Sequence, residues 1–305
     1  MYAIMKQINT LFFLFFFGVS AYAQTESFIE NSGSTICYTT FGKGFPVLII
    51  NGGPGMSSEG FVSLAKTLSK NNKTIIYDQR GTGKSILKAV NETTITLDLM
   101  VEDIESLRKH LKIDSWIVLG HSFGGMLASY YTTKHSKNVK GLILSSSGGV
   151  DLSLLSRINI TGQLTQKQRD SLSYWNQKIA NGDTSHFARL QRGKYLASAY
   201  LYKKDFVDVV AERLTQGNSQ INSLVWQNMH TIAFDCKKQL QQYTKPVLII
   251  QGKQDIVNKD IAVKTHALFQ NSKLVYINEC AHYGWLEQPD QYFKEINTFL
   301  TRAAS

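Results

Sequence analysis

Short apolar segments rich in β-branched residues recur along the chain and alternate with segments of helical periodicity. The apolar segments are bounded by turn residues, as expected for strands that are buried on both faces. Seven segments are predicted as strands: STICYTT at 34, PVLII at 46, TIIYD at 74, WIVLG at 116, GLILSS at 141, PVLII at 246 and LVYIN at 274. Buried strands that alternate with helices predict an α/β fold built on a mostly parallel, doubly wound sheet.

Helical periodicity is clearest between the third and fourth predicted strands. The apolar residues there share one face of a helix: Leu97, Val101, Ile104, Leu107 and Leu111. Residues 122–135 and 290–300 are predicted as two further helices.

The alternation stops over residues 151–240, which contain no clear strand pattern. Helical segments are predicted near 166–180, 185–200 and 204–215. The expected organisation is therefore a core domain formed by 24–150 and 241–305, interrupted by a helical cap, or lid, at 151–240. An insertion above the ends of the strands is well placed to cover a binding site.

The N-terminus has the pattern of a secretory signal peptide. Lys6 supplies a positive charge, residues 11–20 form a short apolar run, and Ala21 and Ala23 give an A-x-A cleavage site. The run is too short to span a bilayer comfortably, and the alternative is a buried N-terminal helix or strand. We expect cleavage after Ala23, export to a periplasm or the medium, and no stable membrane insertion of the mature chain.

Composition excludes several classes of protein. Apolar residues make up 43% of the 305-residue chain, which supports a sizeable core and argues against global disorder. The formal net charge is +10, yet no basic run is dense enough to bind nucleic acid. Cys37, Cys236 and Cys280 match no metal motif, and both one disulfide and three free thiols stay open.

The stretch DQRGTGKS at 78–85 ends like a phosphate-binding loop. That loop requires G-x-x-x-x-G-K-[ST], and Gly83, Lys84 and Ser85 fit it. The first glycine is replaced by Asp78, whose carboxylate would repel phosphate. The stretch therefore needs another explanation.

The strongest motif is Gly120-His121-Ser122-Phe123-Gly124, a G-x-S-x-G sequence directly after a predicted strand and before a predicted helix. This is the context of a nucleophile elbow, in which a serine on a sharp turn attacks a carbonyl group. His121 is interpreted as structural, because neighbouring positions on an elbow point apart. A plain strand–helix turn is the alternative.

A nucleophilic serine needs a base and a group that orients the base. The elbow fold predicts the chain order Ser, acid, His. Asp255 follows the strand at 246 and His282 follows the strand at 274, so both lie at the strand edge that carries Ser122. We therefore predict Ser122, His282 and Asp255 as a catalytic triad; ordinary loop residues are the alternative for the last two.

An acyl transfer also needs donors for the developing oxyanion. The N–H of Phe123, directly after the nucleophile, is one candidate. The glycine-rich loop at 51–55 supplies the second, which we assign to the N–H of Gly53; a plain tight turn is the alternative. This chemistry needs no metal and no cofactor.

With these motifs identified, the sequence resembles the α/β-hydrolase superfamily and, within it, the proline iminopeptidase (prolyl aminopeptidase) family of serine peptidases. NGGPG at 51 and DQRGTGKS at 78 are similar to that family's HGGPG and DQRGxGxS patterns. The resemblance implies that DQRGTGKS is a turn below the active site. Asp78 and Arg80 would then hold a loop, and Lys84 would be incidental.

The sequence departs from the family pattern at two places. Asn51 replaces the family's usual histidine, which is expected to alter support of the loop. Family aminopeptidases bind the substrate's α-ammonium with cap glutamates, whereas residues 151–240 contain only Glu212, six aspartates and twelve Lys or Arg. Glu212 is the candidate for this role, with a solvated helix face as the alternative.

The resulting hypothesis is an exported serine hydrolase that releases N-terminal residues, often proline, from short peptides. The alternative is an esterase, lactonase or amidase with the same triad and a small uncharged substrate. A non-catalytic binding module on the same fold is a third possibility. The sequence leaves the oligomeric state open.

Overall fold

The computed structural model describes residues 24–153 and 155–304, and the predicted signal peptide at 1–23 lies outside them. Nine strands form one sheet in the order β1-β2-β4-β3-β6-β7-β8-β9, with β5 beside β2. The strands are β1 Thr25–Asn31, β2 Ser34–Phe41, β3 Phe45–Ile50, β4 Asn72–Tyr77, β5 Ile86–Leu87, β6 Trp116–His121, β7 Val139–Ser145, β8 Val247–Gly252 and β9 Ser272–Ile277.

The sheet is parallel from β4 to β9 and antiparallel where β1, β2 and β5 join it. This arrangement confirms the predicted α/β fold and all seven predicted strands. The sequence did not indicate β1 and β5. Phe28 on β1 is half exposed, and Glu26 and Glu30 lie two residues away on either side, so this strand has no continuous apolar run.

Eleven α-helices accompany the sheet in the described part of the chain. They are α1 Val62–Leu68, α2 Leu97–His110, α3 Phe123–His135, α4 Gln166–Ala180, α5 His186–Tyr200, α6 Val207–Leu214, α7 Ser219–Thr231, α8 Lys237–Leu240, α9 Lys259–Leu268, α10 Gly284–Glu287 and α11 Pro289–Ala304. None of these helices is long and apolar enough to cross a membrane.

Both faces of the sheet are covered, because successive strand residues point to opposite sides. On β3, Leu48 and Ile50 pack in one core together with α2 and α3. Val47 and Ile49 pack in a second core together with α1 and α11. Burial on both faces explains why the central strands read as continuous apolar runs.

Helices α4 to α8 lie between β7 and β8, within residues 151–240, here called the cap segment. The two ends of this segment meet in a backbone bridge between Asp151 and Asp235. Helix α4 begins with a reciprocal capping box in which Thr165 and Gln168 bind each other's backbone N–H groups. The division into a core domain and a separate cap domain remains a prediction.

Candidate active site

Ser122 lies on a strained turn between β6 and α3. Its backbone has φ +56° and ψ −122°, a conformation that a residue with a side chain rarely adopts. A Cβ at Gly120 would lie 2.2 Å from the carbonyl oxygen of Gly124 on α3, and a Cβ at Gly124 would lie 2.2 Å from the carbonyl oxygen of Ile50 on β3. The flanking glycines of the G-x-S-x-G motif are therefore needed for the turn itself.

The two residues predicted to supply oxyanion donors, Gly53 and Phe123, line the same cavity as Ser122. Phe123 is the first residue of α3, so its N–H has no acceptor within the helix. Gly53 adopts φ +71° and lines the same cavity as Ser122 and Phe123. A Cβ at the preceding Gly52 would lie 2.6 Å from the Cβ of Ser122, which shows how tightly this loop packs on the serine.

His282 and Asp255 form a buried pair at the carboxyl ends of adjacent strands. His282 Nδ1 lies 2.8 Å from Asp255 Oδ1, and both side chains are almost fully buried. The N–H of Val257 also donates to this carboxylate oxygen at 3.1 Å. The pair leaves the second ring nitrogen of His282 available to a neighbouring group, as a general base requires.

His121 packs against the histidine of this pair. It directly precedes Ser122, and its ring centroid lies 4.6 Å from that of His282. Burial holds the pKa of His121 well below its usual value, and His282 and Arg213 lower it further. His121 is therefore neutral and packs in an aromatic cluster with Phe61, Tyr283 and Trp285.

The loop that carries His282 is fixed by a carboxylate that the sequence did not reveal. Glu287 is fully buried, and its oxygens accept hydrogen bonds from the N–H groups of Ala281, Tyr202 and Lys203 at 2.6 to 2.9 Å. The N–H of His282 also donates to the carbonyl of Tyr200 at 3.0 Å. The histidine loop is thus tied to the end of α5.

Arg213 on α6 connects the cap segment to the glycine-rich loop. Its guanidinium donates to the carbonyl of Gly52 at 2.8 Å and to the hydroxyl of Tyr283 at 3.0 Å. It also stacks on the ring of Phe61 at 5.2 Å. The side chain is buried and pairs with no carboxylate in the described ranges. Its guanidinium therefore serves to hold the glycine-rich loop and does not form an ion pair at the surface.

The stretch at 78–85 is a structural turn. Asp78 accepts hydrogen bonds from the N–H and hydroxyl of Ser58 and from the N–H of Lys84. Arg80 forms a buried two-point ion pair with Asp103 on α2, at 2.7 and 2.8 Å. The Lys84 ammonium pairs at the surface with Glu26. Because a carboxylate already binds the N–H of Lys84, this turn is unsuited to phosphate.

Asn51, at the position where the family has histidine, supports the loop with its amide. Its Nδ2 donates to the carbonyl of Met56 at 3.0 Å, and Gln79 Nε2 donates to the Asn51 carbonyl at 3.0 Å. Asn51 therefore ties the glycine-rich loop to Met56 and Gln79 through hydrogen bonds.

A cavity of about 680 Å³ opens above Ser122 and is enclosed mainly by the cap segment. Its wall is largely apolar, with Met56, Leu155, Ile158, Ile160, Leu196, Leu214, Trp226, Ile256 and Val257 among the lining residues. Two charged residues line the cavity, Arg189 and Arg192. Among the described residues, no Asp or Glu lines it.

The structure does not bring Glu212 to this cavity. Its carboxylate lies 2.8 Å from His186 Nε2, and both side chains are more than half exposed. Helical spacing of Arg189, Arg192, Leu196 and Tyr200 is the sequence signal that could have found the cavity-facing side of α5.

No group of three or more His, Cys, Asp or Glu side chains in the described ranges is arranged to hold a metal ion. The three cysteines are buried free thiols. Burial raises the pKa of Cys236 to about 12, which keeps that thiol protonated and unreactive at neutral pH.

Comparison with known proteins agrees with the fold. Residues 46–289 match the family described as the alpha/beta hydrolase fold, and the chain therefore belongs to that family of hydrolases. The proline iminopeptidase of Heyndrickxia coagulans is 30% identical over 294 residues, which cover 90% of this chain and 98% of that protein. The chain is thus a proline iminopeptidase-like α/β hydrolase.

Solved structures share the architecture at lower identity. The proline iminopeptidase of Mycobacterium smegmatis superimposes with a TM-score of 0.69 at 20% identity and covers 92% of this chain and 99% of its own. An esterase from Exiguobacterium antarcticum superimposes with a TM-score of 0.69 at 20% identity, and the match covers 91% of this chain and 100% of the esterase. At these identities the likeness concerns the fold alone.

Proposed function

We propose that this protein is a serine hydrolase that acts through Ser122, His282 and Asp255. The observation that carries the proposal is the buried His282–Asp255 pair, whose histidine ring packs against His121, the residue directly before a serine on a strained elbow that lines the cavity. A strained backbone conformation of this kind persists only where the surrounding structure enforces it, and such residues cluster at active sites.

In the proposed reaction Ser122 Oγ attacks a carbonyl carbon while His282 takes the hydroxyl proton. Asp255 fixes the imidazole through Nδ1–H and stabilises the imidazolium that forms. The N–H groups of Gly53 and Phe123 bind the oxyanion of the tetrahedral intermediate. His282 then protonates the leaving group, and water attacks the acyl-enzyme by the reverse sequence.

The proposed substrates are short peptides that lose an N-terminal residue, often proline. Curated relatives named proline iminopeptidase support this activity, as do the NGGPG and DQRGTGKS motifs. A second candidate is hydrolysis of an ester, lactone or amide without a free amine. It is favoured by the cavity wall, where no carboxylate of the described residues is available to bind an α-ammonium.

Initial rates on three substrates separate the candidates. Proline p-nitroanilide, its N-acetyl form and p-nitrophenyl acetate are compared, with the Ser122→Ala protein as the control. An aminopeptidase cleaves the free-amine anilide and rejects the acetylated one. Cleavage of the ester with neither anilide would favour the second candidate, and full activity of the Ser122→Ala protein would contradict the triad.

We also propose that the protein is exported after cleavage behind Ala23, because residues 1–23 have the three regions of a signal peptide. The mature chain would begin at Gln24. Intact mass and N-terminal sequencing of the protein recovered from the periplasm or medium test this directly. A full-length chain retained inside the cell would contradict it.

A further inference from the structure

One side of α5 faces the cavity along almost the whole helix. Arg189, Arg192, Leu196 and Tyr200 line the cavity, and their spacing of three or four residues places them on one face. The two arginines lie toward the beginning of the helix and Tyr200 is its last residue. The cavity therefore has a cationic end and an apolar middle.

The end of α5 at Tyr200 is fixed next to the candidate base. The Tyr200 ring centroid lies 5.2 Å from that of His282, and the Tyr200 carbonyl accepts the His282 N–H. Arg192 is eight residues earlier, about 12 Å along the helix axis at 1.5 Å per residue. The guanidinium groups are therefore remote from the reacting carbonyl but share its cavity.

Arg192 is half-buried and has no compensating carboxylate. Its Nε donates to the Asn176 side-chain oxygen at 2.7 Å, while its two terminal nitrogens meet no acceptor in the described ranges. Burial lowers the pKa of this guanidinium. Partial removal of an unpaired charge from water costs free energy, and an anionic ligand bound to the guanidinium would offset that cost.

Arg189 adds a second unpaired guanidinium at the same end of the cavity. Its side chain is exposed and pairs with no carboxylate in the described part of the chain. By contrast, Arg108 outside the cavity pairs with Glu105 at 2.6 Å. The arginines that face the cavity are thus left free to bind a ligand.

We propose that Arg189 and Arg192 form a carboxylate-binding subsite for elongated substrates whose anionic group lies several residues from the scissile carbonyl. The inference rests on the proposed hydrolase function and specifies its substrates. A terminal carboxylate would accept two N–H groups from Arg192 side by side. The apolar wall between the subsite and Ser122 would bind the connecting chain.

The carboxylate has two sources that fit this geometry. An extended peptide covers about 3.5 Å per residue, so the C-terminus of Pro-Ala-Ala-Ala would lie about 10 Å from the scissile carbonyl, within reach of a long arginine side chain. The free end of a dicarboxylic acid half-ester is the other source. In the peptide the anion belongs to the leaving group, and in the half-ester it belongs to the acyl group.

The test compares each anionic substrate with a neutral partner of the same length. The peptide arm uses Pro-Ala-Ala-Ala and its C-terminal amide; the ester arm uses mono-p-nitrophenyl octanedioate and p-nitrophenyl octanoate. In at least one arm kcat/KM should favour the anion by about tenfold or more, as expected for a charged, two-point contact. The arm that shows the preference identifies the source.

Arg189→Gln/Arg192→Gln should reduce that ratio to near one. Arg302→Gln, at an exposed arginine on α11, is the matched control and should keep the ratio. Arg192→Lys, which retains charge without the fork of donors, should keep an intermediate ratio. A ratio near one for the unmodified protein in both arms, or a ratio that survives the double substitution, would overturn the proposal.

Binding measured without turnover separates this inference from the triad. Calorimetric titration of the Ser122→Ala protein compares the affinities of Pro-Ala-Ala-Ala and its amide. If the peptide arm is correct, the free carboxylate should bind more tightly. The same protein carrying the double Arg→Gln substitution should lose that preference. Full activity of Ser122→Ala would contradict the proposed function alone. If Ser122→Ala is inactive but neither the kinetic nor the calorimetric measurement shows a preference for the anionic ligand, the subsite alone is contradicted.

Discussion

The strand edge and the cap segment enclose the same cavity by different physical means. At the strand edge, Ser122, Asp255 and His282 are held by tight backbone turns and buried hydrogen bonds. In the cap segment, the residues that face the cavity lie on one side of α5 and several are partly exposed. In the proposed function, the first region fixes the reacting groups and the second surrounds the space that a substrate would enter.

The two regions meet at a small number of buried contacts. Arg213 and Tyr200 reach from the cap segment to Gly52 and His282, and Glu287 reaches from the strand edge to the backbone after α5. These contacts imply that the position of the cap helices influences the geometry of the glycine-rich loop and of His282. Substitutions in each region should therefore give different kinetic signatures.

The largest effect is expected from Asp255→Asn at the strand edge. An amide in this place cannot hold the imidazole in the tautomer that accepts the serine proton, and kcat should fall about 10⁴-fold. The measurement is kcat on the best substrate found, with circular dichroism as a check of folding. A fall of less than about tenfold in a folded protein would exclude Asp255 as the orienting acid.

Asp103→Asn should affect stability most strongly. It leaves the Arg80 guanidinium buried and without its charged partner below the strand edge. Loss of one partner of a buried pair costs about 3 to 5 kcal/mol. Urea unfolding measures the difference, and Asp170→Asn on the exposed side of α4 is the control, expected to change stability by less than about 0.5 kcal/mol.

Arg213→Lys probes the contact between the two regions. Lysine keeps the charge but lacks the fork that donates to Gly52 and Tyr283 together. A misplaced oxyanion loop should lower kcat by about tenfold with little change in KM, because the donor acts on the transition state. Arg169→Lys on α4 is the control, and an equal effect of the two substitutions would contradict this role.

The smallest effect concerns His121 and pH. The pKa of His121 is held below its unfolded value mainly by burial, so the unfolded chain binds the extra proton first as pH falls. Its contribution to stability is therefore complete above about pH 6.5 and is lost below it, by up to about 1.4 kcal/mol per pH unit.

His121→Gln should reduce the loss of stability between pH 7.5 and 5.5 by about 1 kcal/mol. Urea unfolding of both proteins at the two pH values provides the measurement. Equal losses would show that His121 does not titrate on unfolding in this range, and the neutral packing role assigned to it at the strand edge would be wrong.

The sequence predicted the strand edge better than the cap segment, and the reason is physical. Buried parallel strands require continuous apolar runs, and an elbow requires glycines at fixed positions around the serine, so both are visible locally. The pairing of Asp255 with His282 could be predicted because both residues follow strands whose order the fold determines. Edge strand β1 was missed because its exposed face carries polar residues.

The cap segment gave weaker signals because its roles depend on tertiary contacts. Glu212 is a glutamate in the expected segment, yet its side chain pairs with His186 at the surface. Arg192 and Arg213 look like ordinary solvated helix residues, and only the folded chain shows that one faces the cavity and the other reaches Gly52. Charge on a helix does not indicate which neighbour it will meet.

The most direct test of Ser122 as the nucleophile is labelling with a serine-directed fluorophosphonate, followed by mass spectrometry of the digested protein. One adduct is expected, on the peptide that contains Ser122, with labelling slowed strongly in Asp255→Asn and abolished in Ser122→Ala. An adduct at a different serine, or unchanged labelling and hydrolysis after Ser122→Ala, would contradict the assignment of Ser122 as the nucleophile.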